Sequence, residues 1–100
     1  MYVFVRTDLP IQQQIVQSNH AAYEAGIFLG DKEQTEPASL IVIAVKNKAK
    51  LEKAMLDLQS KGINLIPFEE PAWDYGLTAF GTEPLTQDRR ILLKRYQLWH

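Results

Sequence analysis

The sequence predicts a layered α/β domain on a four-stranded mixed sheet, with the element order β-α-β-α-β-β-α. Two apolar blocks typical of buried strands, residues 2–6 and 39–46, are each followed by a segment with helical periodicity. A helix that connects two strands of one sheet makes those strands parallel. The 100 residues, 46% of them hydrophobic, match the commonest size of a single domain. We therefore expect one domain over residues 1–100.

The composition excludes several classes of site. The chain has no cysteine, which rules out disulfides, thiolate nucleophiles and cysteine-ligated zinc. Eleven Lys and Arg against twelve Asp and Glu give a net charge of -1, which does not indicate nucleic-acid binding by bulk charge. The two histidines lie far apart in the sequence and no histidine pair has ligand spacing, so no metal or cofactor is expected.

The apolar runs and the amino-terminal residues also bear on localisation. The longest apolar run, residues 40–45, is too short to span a bilayer. The amino-terminal residues lack a basic segment that leads into an apolar stretch. The expectation is a cytoplasmic protein without a membrane partner.

The first strand and helix occupy the first third of the chain. Residues 2–6 are aromatic and β-branched, which predicts a strand buried on both faces. Asp8 or Leu9 is expected to cap the helix, with Pro10 in its first turn and Gly26 at its end. A polar surface loop is expected over residues 29–38. The helical spacing predicts that four side chains pack on the sheet: Ile11, Ile15, Ser18 and Ala22.

The second strand and helix are the clearest in the sequence. The apolar block of residues 39–46 predicts a strand in a central position of the sheet. Asn47 is expected to cap the second helix and Gly62 to end it. Its buried stripe is predicted from Leu51, Ala54, Met55 and Leu58.

The last third of the chain is predicted to add two strands and a short basic helix. Residues 63–68 form the third strand, in which Pro67 lacks an amide donor and indicates a strand end or a sheet edge. A loop over residues 69–74 leads to a fourth strand at 75–81. Thr86 is expected to cap a helix that ends near Lys94, and residues 96–100 form a tail.

Polar residues at the end of the first strand are the main candidates for a site. Arg6, Thr7 and Asp8 follow the apolar strand directly, and Gln17 and His20 lie one turn apart on the next helix. Ligands of open α/β sheets bind at the carboxyl ends of strands. The sequence therefore predicts a binding site at this strand end.

Two short motifs in this region resemble the type-2 peptidyl-tRNA hydrolases. Residues 6–9 (Arg-Thr-Asp-Leu) and 17–22 (Gln-Ser-Asn-His-Ala-Ala) are similar to the family's Arg-Thr/Ala-Asp-Leu and Gln-Cys-x-His-Ala-Ala elements. Residues 62–95, which include the segments 68–71 and 77–84, most resemble a shorter bacterial or phage branch. The likeness covers nearly the whole chain. It implies an α/β fold, a role in translation, tRNA or peptidyl-tRNA as partner, and hydrolysis of the ester between peptide and tRNA.

Such a reaction needs a base to activate water and a donor for the developing oxyanion. His20 is a candidate base or proton shuttle, because an imidazole titrates near neutral pH. The alternative is a helix histidine bonded to backbone. Glu70 or Glu69 is a candidate base carboxylate, or else a solvated turn residue. Asp8 is a candidate for orienting His20 or a substrate amine, and it could also cap the helix.

The candidate contacts to substrate are Arg6, Thr7, Gln17, Glu69, Arg89 and Arg90. Arg6 could reach a phosphate or carboxylate, or pair with Asp8. Gln17 could contact a ligand or remain a surface amide. The basic cluster of Arg89, Arg90, Lys94 and Arg95 could hold tRNA phosphates or be a solvated helix face. Three aromatic residues could stack on bases or pack on the core: Trp73, Tyr96 and Trp99.

Two further functions follow from where the chain departs from the family pattern. Residues 10–14 contain no lysine, whereas the family has one in this loop. Residues 69–72 replace the family's Asp-Ala-Gly-Arg-Thr-Gln segment. This favours, as an alternative, a catalytically inactive homologue that binds tRNA, a nucleotide or a protein. A third hypothesis is a homodimer formed through the aromatic carboxyl-terminal segment, residues 96–100.

Overall fold

The strands and helices follow one another in the predicted order β-α-β-α-β-β-α. The protein is represented by a computed structural model, which describes residues 1–31, 33, 39–71 and 74–99. Trp73, His100 and most of the predicted loop 29–38 lie outside the described residues. The elements are β1 Tyr2–Arg6, α1 Ile11–Leu29, β2 Ile41–Val45, α2 Lys48–Ser60, β3 Leu65–Glu70, β4 Gly76–Thr82 and α3 Gln87–Arg90, with a 3₁₀ turn at Ile91–Leu93.

The four strands form one mixed sheet in the order β2-β1-β4-β3, which confirms the α/β fold class. β1 pairs parallel with β2, from Tyr2 opposite Ile41 to Arg6 opposite Val45. β4 is antiparallel to both β1 and β3. β3 therefore runs in the same direction as β1 and β2. The carboxyl ends of these three strands share one edge of the sheet, and β4 starts there.

The predicted central position of the second strand is wrong, because β2 lies at the margin of the four-stranded sheet. The outer side of β2 pairs with the carboxyl-terminal segment instead. The amide of Ala44 donates to the carbonyl of Gln97 at 2.9 Å, and the amide of Trp99 donates to that of Val42 at 2.9 Å. An apolar run shows that both faces of a strand are covered, but it does not show how many strands flank it.

The two faces of the sheet carry different layers. α2 and the 3₁₀ turn cover a core of large side chains, in which the rings of Phe4 and Phe80 stack at 4.5 Å. α1 covers the other face through small residues such as Ala21 and Ala25. At Gly81 an added Cβ would lie 2.6 Å from Ala25 Cβ and 2.8 Å from the carbonyl oxygen of Ala21. The close approach of α1 to β4 therefore requires glycine at this position.

The predicted buried face of α1 is wrong. Ile11 and Ile15 are 61% and 47% exposed. The buried residues lie one position earlier in the helical repeat: Gln14, Gln17, Ala21 and Ala25. Small side chains allow the close packing on β4, while the two glutamine amides are satisfied by hydrogen bonds described below. α1 also continues past Gly26 to Leu29, and Pro10 rather than Asp8 or Leu9 occupies its N-cap position.

Several local signals were interpreted correctly. The Asn47 side chain accepts a hydrogen bond from the Lys50 amide at 2.9 Å, and Gly62 ends α2 with a φ of +79°. Pro67 lies in β3, at the edge of the sheet. Thr86 occupies the N-cap position of α3, but its hydroxyl donates to Asp88 Oδ1 at 2.6 Å instead of capping a backbone amide. Glu69 and Glu70, which we expected in a loop, are the last residues of β3. None of the helices in the described residues is long and apolar enough to cross a membrane.

Candidate functional site

The shared edge of β1, β2 and β3 gathers most of the candidate residues. Arg6 ends β1 and Glu70 ends β3, while Gln17 lies on α1, which packs across β1, β3 and β4. Because the two strands run in the same direction, their last residues reach the same side of the molecule. The sequence could not establish this arrangement, since it depends on β4 lying between β1 and β3.

Glu70, Gln17 and Thr78 form a continuous hydrogen-bond network. The Gln17 side chain is completely buried, and its Nε2 donates to Glu70 Oε2 at 2.8 Å. The Thr78 hydroxyl donates to Gln17 Oε1 at 2.8 Å. Gln17 Nε2 also donates to Gln13 Oε1 at 3.2 Å. With both ends of its amide fixed, Gln17 holds the Glu70 carboxylate in one orientation at the half-buried end of β3.

A β-bulge brings Thr78 into this network. Phe68 pairs with Ala79 and Glu69 pairs with Leu77, which leaves Thr78 as an extra residue in β4. Leu77 packs in the α2-side core, whereas Ala79 packs with Ala21 of α1 and the Thr78 hydroxyl meets Gln17. The bulge therefore turns two successive β4 side chains toward α1. β-bulges are over-represented next to active sites, where they re-aim a side chain.

The same bulge separates the two glutamates. Glu69 lies opposite Leu77, which faces α2, so the exposed Glu69 side chain is on the α2 side of the sheet. Glu70 is on the α1 side, where it meets Gln17. Of the two carboxylates that the sequence left as alternatives, Glu70 is the one that joins a network.

Arg6 and Asp8 form a bidentate ion pair. Arg6 Nε lies 2.9 Å from Asp8 Oδ1, and its Nη2 lies 3.0 Å from Oδ2. Arg6 Nη1 donates to the carbonyls of Tyr75 and Leu77 at 2.7 and 3.1 Å. The hydrogen bonds from Arg6 lower the pKa of the Asp8 carboxyl. The guanidinium of Arg6 thereby links the end of β1 to the start of β4. Of the two roles that the sequence left open for Arg6, the pair with Asp8 is the one observed.

His20 lies on the solvent-exposed side of α1. Its ring stacks on that of Phe68, with centroids 4.8 Å apart and planes 1° from parallel. Within the described residues, no hydrogen bond joins the imidazole to Asp8 or Glu70. The structure thus brings Gln17 to Glu70 and Arg6 to Asp8, but it does not join His20 to either carboxylate.

A cavity of about 440 Å³ opens between the ends of β1 and β2. Gln14 closes one side: its Nε2 donates to the Leu9 carbonyl at 2.7 Å and its Oε1 accepts from Trp99 Nε1 at 2.8 Å. The Thr7 hydroxyl donates to the Val45 carbonyl at 3.2 Å. The lining includes Thr7, Ile11, Gln14, Lys46, Gln97 and Trp99. Sequence reasoning missed Gln14 and Lys46, because their placement depends on the phase of α1 and on the marginal position of β2.

The basic cluster predicted near the carboxyl terminus is divided. Arg89 donates to the Gly62 carbonyl at 2.9 Å and lies 3.7 Å from Glu83. Arg90 lies near the Met1 ammonium, whose pKa is lowered first by burial and then by the charge of Arg90. α3 follows the carboxyl end of β4, so both arginines lie at the sheet edge opposite to Glu70.

Arg95 instead lies beside two lysines of α2. Lys50, Lys53, Arg95 and Tyr96 line a cavity of about 180 Å³. Arg95 Nη2 donates to Asp57 Oδ2 at 2.7 Å and to the Tyr96 hydroxyl at 3.0 Å, which orients the guanidinium. The Tyr96 ring packs edge-on against Phe4 at 4.9 Å. Among the described residues, no group of three His, Cys, Asp or Glu could hold a metal ion.

The tail aromatics are both engaged within the chain. Tyr96 packs on Phe4, and the Trp99 indole donates to Gln14. A dimer through residues 96–100 therefore stays a prediction, and it would use the surface that these contacts leave open. Comparison of the chain with models of protein families and with curated proteins gives no match.

Proposed function

We propose that the chain is a peptidyl-tRNA hydrolase-like protein that cleaves the ester between a peptide and tRNA, with Glu70 as the base. The observation that carries the proposal is the Glu70–Gln17–Thr78 network at the carboxyl edge of the sheet. The resemblance of residues 6–9 and 17–22 to the hydrolase family supports the same assignment.

The proposed reaction follows from the orientation of Glu70. The carboxylate accepts a proton from a water molecule, which attacks the ester carbonyl carbon. When the tetrahedral intermediate collapses, the bond to the tRNA ribose oxygen breaks, and Glu70 returns the proton to that oxygen. Gln17 keeps one carboxylate oxygen fixed during both steps, and Thr78 keeps Gln17 from rotating. Glu70 rather than His20 is proposed as the base, because the network holds Glu70.

The cations of α2 and the tail are proposed to hold tRNA phosphates. Lys50, Lys53 and Arg95 line one small cavity, and no carboxylate is among its lining residues. Arg95 is already paired with Asp57 at 2.7 Å, so a bound phosphate would relieve chiefly the repulsion between the two lysines. Lys46, which lines the 440 Å³ cavity at the end of β2, is a further cation at the sheet edge that also holds Glu70.

Release of an N-acetylated amino acid from N-acetyl-aminoacyl-tRNA tests the proposal. Glu70→Gln removes the base and is expected to lower kcat/KM by about 10²- to 10³-fold. Glu69→Gln makes the same change one position away, on the other side of the sheet, and is expected to leave kcat/KM unchanged. Absence of turnover at high wild-type concentration, or equal losses in both variants, would reject the proposal. His20→Ala in the same assay tests the histidine that the sequence predicted.

The second candidate is a catalytically inactive homologue that binds tRNA, a nucleotide or a protein. It is favoured by the lysine-free start of α1, in which Ile11 and Gln14 line the 440 Å³ cavity. Fluorescence anisotropy with labelled tRNA at about 50 and about 200 mM salt measures the phosphate contribution to binding. The double variant Lys50→Ser/Lys53→Ser should weaken binding and flatten the salt dependence. Arg90→Ser/Lys94→Ser, at the opposite sheet edge, is the charge-matched control.

Salt-dependent binding without turnover would favour this second candidate over the hydrolase. A nucleotide or protein ligand would instead leave tRNA anisotropy unchanged in the wild type and in both double variants.

A further inference from the structure

The α1 side of β2 is only partly covered. Ile43 and Val45 of β2 lie in the α2-side core. Because side chains alternate along a strand, Val42 and Ala44 face the other side of the sheet. α1 packs mainly across β1, β3 and β4, and these two side chains stay half-buried. An open groove therefore runs along the α1 side of β2.

The carboxyl-terminal segment adds a second row of side chains to this groove. Leu98 lies opposite Ile43 in an antiparallel bridge. Its neighbours Gln97 and Trp99 therefore project to the α1 side, where Trp99 packs against the α1-side core. The indole of Trp99 also reaches the first turn of α1, through its hydrogen bond to Gln14. Together β2, the tail and α1 enclose the cavity of about 440 Å³ described above.

One end of this cavity is cationic. Among the described residues that line it, Lys46 is the only charged one. Within the described ranges of the chain, no ion pair joins Lys46 to a carboxylate. An ammonium group forms its strongest hydrogen bonds with an anionic acceptor. The charge of the lining therefore favours a ligand that carries an anionic group.

The other end of the cavity is aromatic and apolar. The register of the tail places Trp99 opposite Val42, four positions before Lys46. The backbones of Trp99 and Lys46 are thus about 13 Å apart along the strand. Ile11 lines the same cavity, and it is 61% exposed. A ligand that contacts both ends therefore needs an apolar part that is separate from its anionic group.

The indole is held in place without a ligand. Gln14 Nε2 donates to the carbonyls of Thr7 at 3.2 Å and Leu9 at 2.7 Å, which uses both hydrogens of the amide. These bonds fix Gln14 Oε1, which accepts from Trp99. A preorganised wall lowers the entropy cost of binding, and an indole packs favourably on another ring. The apolar part of the ligand is therefore expected to be a planar ring.

We propose that this cavity binds a small anion that carries a planar ring, with the anion at Lys46 and the ring against Trp99. A volume of about 440 Å³ is within the range of small-molecule sites. Two kinds of molecule share this chemistry, a mononucleotide and an N-acylated aromatic amino acid. Glu70, Gln17 and Thr78 are not among the lining residues, so the binding site does not depend on the proposed hydrolase reaction.

Isothermal titration calorimetry of the full chain tests the site with two probes, adenosine 5′-monophosphate and N-acetylphenylalanine. Saturable binding of one probe to one site is expected, and the probe that binds identifies the kind of ligand. The uncharged analogues, adenosine and N-acetylphenylalaninamide, should bind at least about fivefold more weakly. Absence of saturable binding for both charged probes would overturn the proposal, as would equal affinity for the uncharged analogues.

A matched pair of variants tests the cation. Lys46→Ser should weaken binding of the charged probe by at least about fivefold, with little effect on its uncharged analogue. Lys48→Ser removes a lysine two positions away, at the start of α2 and outside the cavity lining, and should leave the affinity unchanged. Equal losses in the two variants would contradict a specific contact with Lys46.

A second pair of variants tests the location of the site. Ala44→Leu enlarges a lining residue between Lys46 and Trp99 and should weaken binding by more than about tenfold, because the side chain fills the space for the ligand. Ala49→Leu makes the same change at an exposed position of α2 and is the control. Circular dichroism verifies that the variants are folded. Wild-type affinity in folded Ala44→Leu would overturn the proposal. Binding is measured without turnover, so this proposal and the hydrolase proposal fail independently.

Discussion

The two long helices cover opposite faces of one sheet, but they bury different kinds of side chain. α2 buries Leu51, Ala54 and Leu58 and turns lysine and acidic residues to solvent. α1 buries two glutamines and two alanines, while several of its isoleucine, tyrosine and phenylalanine side chains are exposed. The α2 layer therefore provides most of the hydrophobic stabilisation, while the α1 layer provides a buried polar network and an apolar outer surface. The proposed catalytic network lies in the α1 layer.

The largest expected effect tests the role of the α2 layer in stability. Leu58 is completely buried in the core beneath α2, so Leu58→Ala removes apolar contacts and leaves a cavity. We expect a loss of about 3 kcal/mol in the free energy of unfolding, measured by urea denaturation. Leu56→Ala, at an exposed position of the same helix, should change it by less than about 0.5 kcal/mol. Similar losses in both variants would mean that α2 does not pack as described.

The next effect concerns the approach of α1 to β4. Gly81→Ala places a Cβ 2.6 Å from Ala25 Cβ and 2.8 Å from a backbone oxygen, neither of which can rotate away. We expect a loss of about 2 kcal/mol in urea denaturation. Gly26 lies on α1, and the Cβ added in Gly26→Ala has no atom within 4 Å. This variant should stabilise the protein by about 0.5 to 1 kcal/mol. The expected result is a lower free energy of unfolding for Gly81→Ala and a higher one for Gly26→Ala. A loss in both variants would argue against the close contact at Gly81.

A smaller effect is expected from the buried amide. Gln17→Leu leaves the Thr78 hydroxyl and the Glu70 carboxylate without the hydrogen bonds that Gln17 provides, at a cost of about 1 to 2 kcal/mol in the free energy of unfolding. The loss of transition-state stabilisation calculated from kcat/KM of the proposed hydrolase should exceed the loss in the free energy of unfolding. Gln59→Leu, at an exposed position of α2, is the matched control. A Gln17→Leu protein as stable and as active as the wild type would show that the network is dispensable.

The smallest effect concerns the Arg6–Asp8 pair. Because Arg6 lowers the pKa of Asp8 in the folded state, the pair stabilises the protein above the unfolded pKa of about 4, and this contribution is lost as pH falls through the lower folded pKa. Asp8 is 39% exposed, so solvent screening limits the contribution to about 1 kcal/mol or less. Asp8→Asn should therefore reduce stability at pH 7 and have little effect near pH 2. Equal losses at both pH values would point to a cause other than charge.

Local signals in the sequence predicted the element order and most of the element ends. Asn47, Gly62 and Pro67 act through their own backbone or side-chain chemistry, so their roles can be recognised without the fold. The phase of α1 could not be recognised in this way. Residues 14, 17, 21 and 25 have the same helical spacing as the apolar residues, and apolar residues normally face inward. The need for small residues opposite Gly81 appears only when α1 lies on β4.

The candidate site depends still more on long-range structure. Arg6, Asp8, Gln17 and Glu70 were identified from motifs and strand ends, but Thr78 was missed. Thr78 enters the network through a bulge, and a bulge is a property of the register between β3 and β4 rather than of either strand alone. For the same reason the sequence left Glu69 and Glu70 as alternatives. The pairing of Glu69 with Leu77 separates them.

The lateral borders of the sheet limit how two molecules can join. At one border the backbone groups of β2 already bond to residues 97–99, and at the other Pro67 interrupts the row of amide donors along β3. Extension of the sheet from one molecule into the next, which is the usual start of fibril growth, is therefore disfavoured on both sides. Contacts between copies of this chain would therefore be made by side chains rather than by backbone hydrogen bonds.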